Sequence, residues 1–114
     1  MNYIIYTPNA VRLKKEIFES VSNNSDGDGS DIITWKCVET KGNEIVLVYT
    51  ANQWAEKGYI TLKQNRSHNE LKVKFHYWDS CQDRMNDDDK YMLGRFTELI
   101  LVHFKYFIDK IIIE

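Results

Sequence analysis

The chain has few cysteines, little net charge and no long hydrophobic run, and each absence excludes a class of protein. Its two cysteines, Cys37 and Cys81, lack the paired spacing of a redox motif or a zinc site. The 15 basic and 17 acidic residues nearly cancel, which argues against general attraction to nucleic acid or to an anionic membrane. We therefore expect reduced thiols, no metal, no cofactor and a cytoplasmic location.

The most apolar stretch, Leu99 to Ile113, contains charged residues and falls short of the roughly 20 apolar residues that a membrane span needs. The first residues also lack the basic leader of a targeting segment. What the chain does contain is a hydrophobic fraction of 43%, with seven Tyr, five Phe and three Trp. At 114 residues this composition predicts one domain, residues 1–114, with a core of its own.

The clearest pattern runs from Glu70 to Asp79, where apolar and polar side chains alternate with a period of two. This alternation predicts a half-buried antiparallel strand. The side chains expected to face the core are Leu71, Val73, Phe75 and Tyr77. Those expected on the opposite face are Lys72, Lys74, His76 and Trp78.

Other strand signals are four β-prone runs: Tyr3 to Tyr6, Ile32 to Glu39, Glu44 to Thr50 and Tyr59 to Gln64. Short connections at Thr40–Asn43 and Asn65–Asn69 are typical of hairpins, so the last four strands should form a meander.

Two helices are predicted. Thr7 resembles an N-cap with Pro8 at the first helical position, and the residues that follow carry one apolar stripe: Ala10, Leu13, Ile17, Phe18 and Val21. A long second helix is expected from about Asp88 to the terminus, with Asp87 to Asp89 as capping residues. The order β-α-β-β-β-β-α predicts an α+β fold, with about five antiparallel strands and both helices on one face.

Two motifs with possible chemistry are weak. Asp26, Asp28 and Ser30 have the spacing of a calcium loop, but Asp31 replaces the glycine of the sixth position and Cys37 replaces the glutamate of the twelfth, which favours a solvated turn. His76 and Cys81 would point to opposite faces of a continuous strand, which argues against a nucleophile and its base. No catalytic residue is predicted.

The uncovered face of the sheet is a candidate binding surface. Its lysines and aromatic residues could dock an acidic protein segment or single-stranded nucleic acid, although an ordinary solvated face is the simpler interpretation. The candidate residues are Lys36, Tyr59, Lys63, Lys72, Lys74, His76 and Trp78, with Thr34 and Thr61 beside them.

The predicted last helix is apolar around most of its circumference, which indicates burial by the other helix or by a second subunit. Its candidate contact residues are Leu99, Val102, Tyr106 and Ile113. The final three isoleucines could instead leave the helix and form an edge strand.

These features favour a non-enzymatic, dimeric protein-binding module of a regulatory, chaperone-like or toxin-neutralising kind. The alternative is an enzyme or ligand-binding domain with a pocket between sheet and helices, built from His76, Tyr77, Asp79, His103 or Tyr106. A weaker alternative is single-stranded nucleic-acid binding through Lys63, Lys72 and Lys74.

Overall fold

The computed structural model describes residues 2–25, 27, 31–41, 43–65 and 67–114. In chain order the elements are β1 (Asn2–Tyr6), α1 (Ala10–Ser22), β2 (Trp35–Lys41), β3 (Glu44–Tyr49), α2 (Asn52–Lys57), β4 (Gly58–Gln64), β5 (Glu70–Tyr77), α3 (Asp88–His103), a 3-10 turn (Lys105–Phe107) and β6 (Lys110–Ile113). Asp26, Asp28 and Ser30 of the possible calcium loop lie outside the described residues, as do Gly42 and Arg66 of the two predicted hairpin connections.

The strands form one antiparallel sheet in the order β2-β3-β4-β5-β1-β6. The predicted α+β class is confirmed, with six strands instead of about five, and β2 to β5 form the predicted meander. β1 lies between β5 and β6, so the first and last strands of the chain are neighbours.

Helix α1 begins two residues later than the Thr7 and Pro8 signal predicts. Its N-cap is Asn9, whose side chain accepts a hydrogen bond from the Arg12 N–H at 3.0 Å. Thr7 is instead buried, and its N–H donates to the carbonyl of Asn69 at 2.9 Å. The chain thus stays tied to the β4–β5 connection before the helix starts. The predicted apolar stripe is confirmed, because Ala10, Leu13, Ile17 and Val21 are all buried.

The prediction of one helix from Asp88 to the terminus is wrong. Helix α3 ends at His103, the chain turns through Lys105–Phe107, and β6 then pairs with β1. The three consecutive isoleucines prefer extended backbone, and β1 offers an edge along which they pair, Ile112 with Ile4. The edge-strand alternative is therefore the correct one for these residues.

Helices α1 and α3 cover the same face of the sheet and share one core with its inward side chains. Phe96 of α3 is fully buried and packs edge-on against Trp35, with ring centroids 5.5 Å apart. Trp54 of α2 stacks on Tyr91 of α3 at 4.2 Å. Among the described residues, no helix has both the length and the apolar character needed to cross a bilayer.

Candidate functional site

The opposite side of the sheet is called the open face here, and it consists of the outward-pointing residues of all six strands. Strand alternation and register place the following residues on it: Ile4, Tyr6, Lys36, Glu44, Val46, Val48, Tyr59, Thr61, Lys63, Glu70, Lys72, Lys74, His76, Lys110 and Ile112. The predicted division of β5 is confirmed, since Leu71, Val73 and Phe75 are buried in the core while Lys72, Lys74 and His76 are not.

Three rings pack against one another at one end of the open face, and we call them the aromatic trio: Tyr59, His76 and Trp78, the residue that follows β5. The Tyr59 ring lies nearly parallel to the His76 ring, with centroids 5.0 Å apart, and 4.4 Å from the Trp78 ring. The Trp78 indole N–H donates to the carbonyl of Ala55 at 3.0 Å. His76 Nε2 lies 3.0 Å from the hydroxyl of Thr61. Each of the three rings thus has at least one neighbour within the chain.

His76 is neutral at neutral pH. Partial burial lowers the pKa of its imidazole, and the nearby Lys74 ammonium lowers it further, while Glu44 acts weakly in the opposite direction. The neutral ring can therefore stack on Tyr59 without placing a charge at the centre of the face.

The open face carries both signs of charge. Its described side chains include five lysines, Lys36, Lys63, Lys72, Lys74 and Lys110, and the structure adds three glutamates: Glu44, Glu70 and the neighbouring Glu114. Glu114 Oε1 lies 3.8 Å from Lys72 Nζ, and Glu44 is directly across from Lys63. Lysines therefore outnumber glutamates on the open face, but by less than the sequence of β4 and β5 alone predicts.

An apolar floor lies beneath these charges. Ile4, Val46 and Val48 point outward, yet each is buried. They do not belong to the core between the sheet and the helices. Long side chains can cover such residues with their aliphatic stems, and a partner that displaces this cover would reach a hydrophobic surface.

A buried polar cluster, which the sequence patterns do not predict, lies at the end of the sheet next to the aromatic trio. Lys57 Nζ donates to Asp88 Oδ1 at 2.8 Å, and the N–H of Met85 donates to Asp88 Oδ2 at 2.7 Å. The Tyr77 hydroxyl lies 2.8 Å from the same Oδ2. Asp88 was expected only as a capping residue of the helix, but it is buried and joins α2, β5 and α3.

The pKa shifts of the cluster indicate a structural role. Burial favours protonation of Asp88, but hydrogen bonds from Lys57, Met85 and Tyr77 outweigh it and lower the pKa of the carboxyl. The hydrogen bond to Asp88 raises the pKa of Lys57, and burial together with Asp88 raises the pKa of Tyr77 to about 12. Lys57 and Tyr77 both keep their protons at neutral pH, so neither is available as a base.

The residues of the pocket alternative do not meet at one place. His103 lines a cavity of about 200 Å³ beside Asp31 and Trp35, Tyr106 lines another beside Arg12, and His76 lies on the open face. A cavity of that size is below the roughly 300–1,000 Å³ of most ligand sites. Its one arginine, Arg95, is already paired with Glu98 at 3.1 Å.

A larger open cleft of about 630 Å³ lies beside Trp78 and Cys81. The Cys81 thiol contacts the carbonyl of Asp83 at 3.7 Å, whereas His76 contacts Thr61. In the part of the chain that the structure describes, no three His, Cys, Asp or Glu side chains are grouped so as to hold a metal.

The other predicted contact residues lie on different elements. Leu99 is only 6% exposed and belongs to the core, so it is not part of the surface. Val102 on α3, Tyr106 in the 3-10 turn and Ile113 on β6 are 68%, 90% and 62% exposed. They therefore do not lie on the one continuous helix that the sequence predicts.

Comparisons with protein families, with curated proteins and with solved structures find no match for this chain. The open face is consequently characterised by its own geometry alone.

Proposed function

We propose that this protein is a non-enzymatic binding module whose open face docks an acidic surface of another protein. The observation that carries the proposal is the aromatic trio, whose rings pack against one another on a sheet face that also carries five lysines and three glutamates. Rigid aromatic side chains are typical anchors of protein interfaces, because they bury a large area at a small cost in conformational entropy. The lysines would steer and orient the acidic partner.

A protein partner fits the open face better than single-stranded nucleic acid. Stacking of bases requires free ring faces, but the Tyr59 ring has His76 and Trp78 as its ring neighbours. Glu44, Glu70 and Glu114 would also repel phosphates. A protein surface can match such a mixed pattern of charges, whereas a phosphate backbone presents one sign.

The size of the open face is compatible with a specific interface. Six strands spaced about 4.8 Å apart, each presenting about five residues of 3.3 Å, give a flat area of roughly 400 Å². Protruding side chains and the adjoining loops increase this area toward the roughly 800 Å² per partner of a standard complex.

The test uses two variants of the whole chain. Lys36→Glu with Lys74→Glu reverses two exposed charges of the open face, and Lys15→Glu reverses one on α1, where the side chain is 72% exposed. Each immobilised protein captures partners from a lysate of its source cells, and captured proteins are quantified. We expect at least one acidic protein that wild type and Lys15→Glu retain and the double variant loses.

That protein, once purified, is titrated into isotopically labelled wild type. Amide shifts on β3, β4 and β5 support docking at the open face, while shifts confined to α1 or α3 contradict it. Retention on single-stranded oligonucleotides at low salt, lost in the double variant, would instead favour the nucleic-acid alternative. The identity of the partner would distinguish a regulatory, chaperone-like or toxin-neutralising role.

A further inference from the structure

Strand β6 forms one edge of the sheet, and its pairing with β1 contains no bulge. The two edges of the sheet are β2 and β6. β2 carries a register shift between Cys37 and Glu39, and such bulges hinder pairing with another chain. β6 pairs with β1 in unbroken register and presents three consecutive isoleucines, with Ile112 and Ile113 both exposed.

The free backbone groups of β6 follow from its pairing with β1. The N–H of Glu114 donates to the carbonyl of Asn2, directly across the ladder, at 3.0 Å. Hydrogen-bonded and non-hydrogen-bonded pairs alternate in an antiparallel ladder, so Ile112 also directs its backbone toward β1. Ile111 and Ile113 therefore direct their N–H and C=O groups away from β1. Within the described part of the chain, β6 has β1 as its strand partner, which leaves these four groups on the open edge.

The edge is complementary to itself. If two copies of β6 pair antiparallel about Ile112, then Ile111 of one copy lies opposite Ile113 of the other and exchanges both backbone hydrogen bonds with it. In the same register Lys110 lies opposite Glu114 of the second copy, on the open-face side of the sheet. Opposite charges at facing positions of neighbouring strands stabilise the pairing, and two such pairs form across a two-fold axis.

We propose that β6 is a homodimer interface, in which two chains join edge to edge into one twelve-stranded antiparallel sheet. The occupant is a second copy of this chain, because the free backbone groups, the isoleucines and the charged ends of β6 all match their own symmetry mates. The proposal is independent of what the open face binds.

Charge exchange tests the register directly. Lys110→Glu places two glutamates opposite each other at both ends of the interface, and Glu114→Lys places two lysines there. We expect each variant alone to raise the dimer dissociation constant about tenfold or more. An equimolar mixture of the two variants restores both opposite-charge pairs and should dimerise like wild type.

Two further variants locate the interface. Ile113→Pro removes a backbone donor that points to the open edge, leaves the pairing with β1 intact, and should abolish the dimer. Val102→Lys with Tyr106→Lys changes exposed residues outside β6 and should leave the dimer unchanged. Sedimentation velocity measures the mass against the chain mass of 13.5 kDa, and circular dichroism checks that each variant is folded.

The proposal is overturned if wild type stays monomeric at high micromolar concentration, or if the mixture of charge variants stays monomeric. It is also overturned if the dimer survives Ile113→Pro or dissociates in the Val102 and Tyr106 variant, because the interface would then lie elsewhere.

Discussion

Removing either charge of the Lys57 and Asp88 pair should destabilise the whole fold, because both side chains are withdrawn from water. Their exposed fractions are 11% and 4%, and their atoms are 2.8 Å apart. Asp88→Ala leaves the buried Lys57 ammonium without its counter-ion and the N–H of Met85 without its acceptor. Lys57→Met is milder, since Asp88 keeps the hydrogen bonds from Met85 and Tyr77.

Breaking a buried ion pair by removing one partner costs about 3–5 kcal/mol, so we expect about 4 kcal/mol for Asp88→Ala and about 3 kcal/mol for Lys57→Met. For a chain of this length, each kcal/mol lowers Tm by about 4 °C. The double variant contains no stranded charge and should lose less than the sum of the two single variants, with a coupling of about 1–3 kcal/mol.

Urea unfolding followed by circular dichroism measures these differences at several pH values. Because hydrogen bonds lower the pKa of Asp88 in the folded state, its contribution is complete above the unfolded pKa near 3.9 and disappears as pH falls through the folded value. The raised pKa of Lys57 keeps its contribution complete below about 10.4 and removes it as pH rises past the folded value. Single-variant losses below about 1 kcal/mol, or losses that persist unchanged in strong acid, would refute the reasoning.

Two further predictions concern the sheet and α3. Because the pKa of His76 is lowered in the folded state, its contribution to stability is complete above about pH 6.5 and decreases as pH falls toward the folded pKa, and His76→Phe should lack this decrease. Lys74→Glu should raise the pKa of His76 in a proton NMR titration. An unchanged pKa would contradict the contribution assigned to Lys74. A Cβ at Gly58 would overlap the carbonyl oxygen of His76, so Gly58→Ala should cost about 3 kcal/mol in urea unfolding. A Cβ at Gly94 in α3 meets open space, so Gly94→Ala should stabilise the fold by about 0.5–1 kcal/mol. Equal effects of the two variants would contradict the proposed crowding at Gly58.

Local periodicity explains which parts of the fold were predictable. The alternation around Leu71, Val73 and Phe75 arises because one side of the strand faces solvent and the other faces the core. This pattern is contained within eight residues of sequence. The same holds for the apolar stripe of α1. The aromatic residues of the open face could be placed on one side of the sheet by the same rule, but their mutual stacking required the β4–β5 register that pairs Tyr59 with His76.

The features that sequence reasoning missed depend on contacts between distant segments. Lys57 and Asp88 are 31 positions apart, and each taken alone resembles an ordinary surface charge. The end of α3 was missed for a related reason: the apolar residues after Phe104 fit a helix locally, and the free edge of β1 decides in favour of a strand. The one hint in the sequence was the position of Asp88, which lies in a capping run directly before a helix with a buried face.

Glu114 connects the open face with the proposed dimer interface. In a single chain it neutralises Lys72 at 3.8 Å, which weakens the attraction of the face for an acidic partner. In the β6-paired dimer the same carboxylate lies opposite Lys110 of the second copy, so it is shared between two lysines. Pairing would thus bring two open faces side by side and return part of the positive potential at Lys72. If both proposals hold, the acidic partner should bind the wild-type dimer more tightly than the Ile113→Pro monomer, and added salt should reduce that difference.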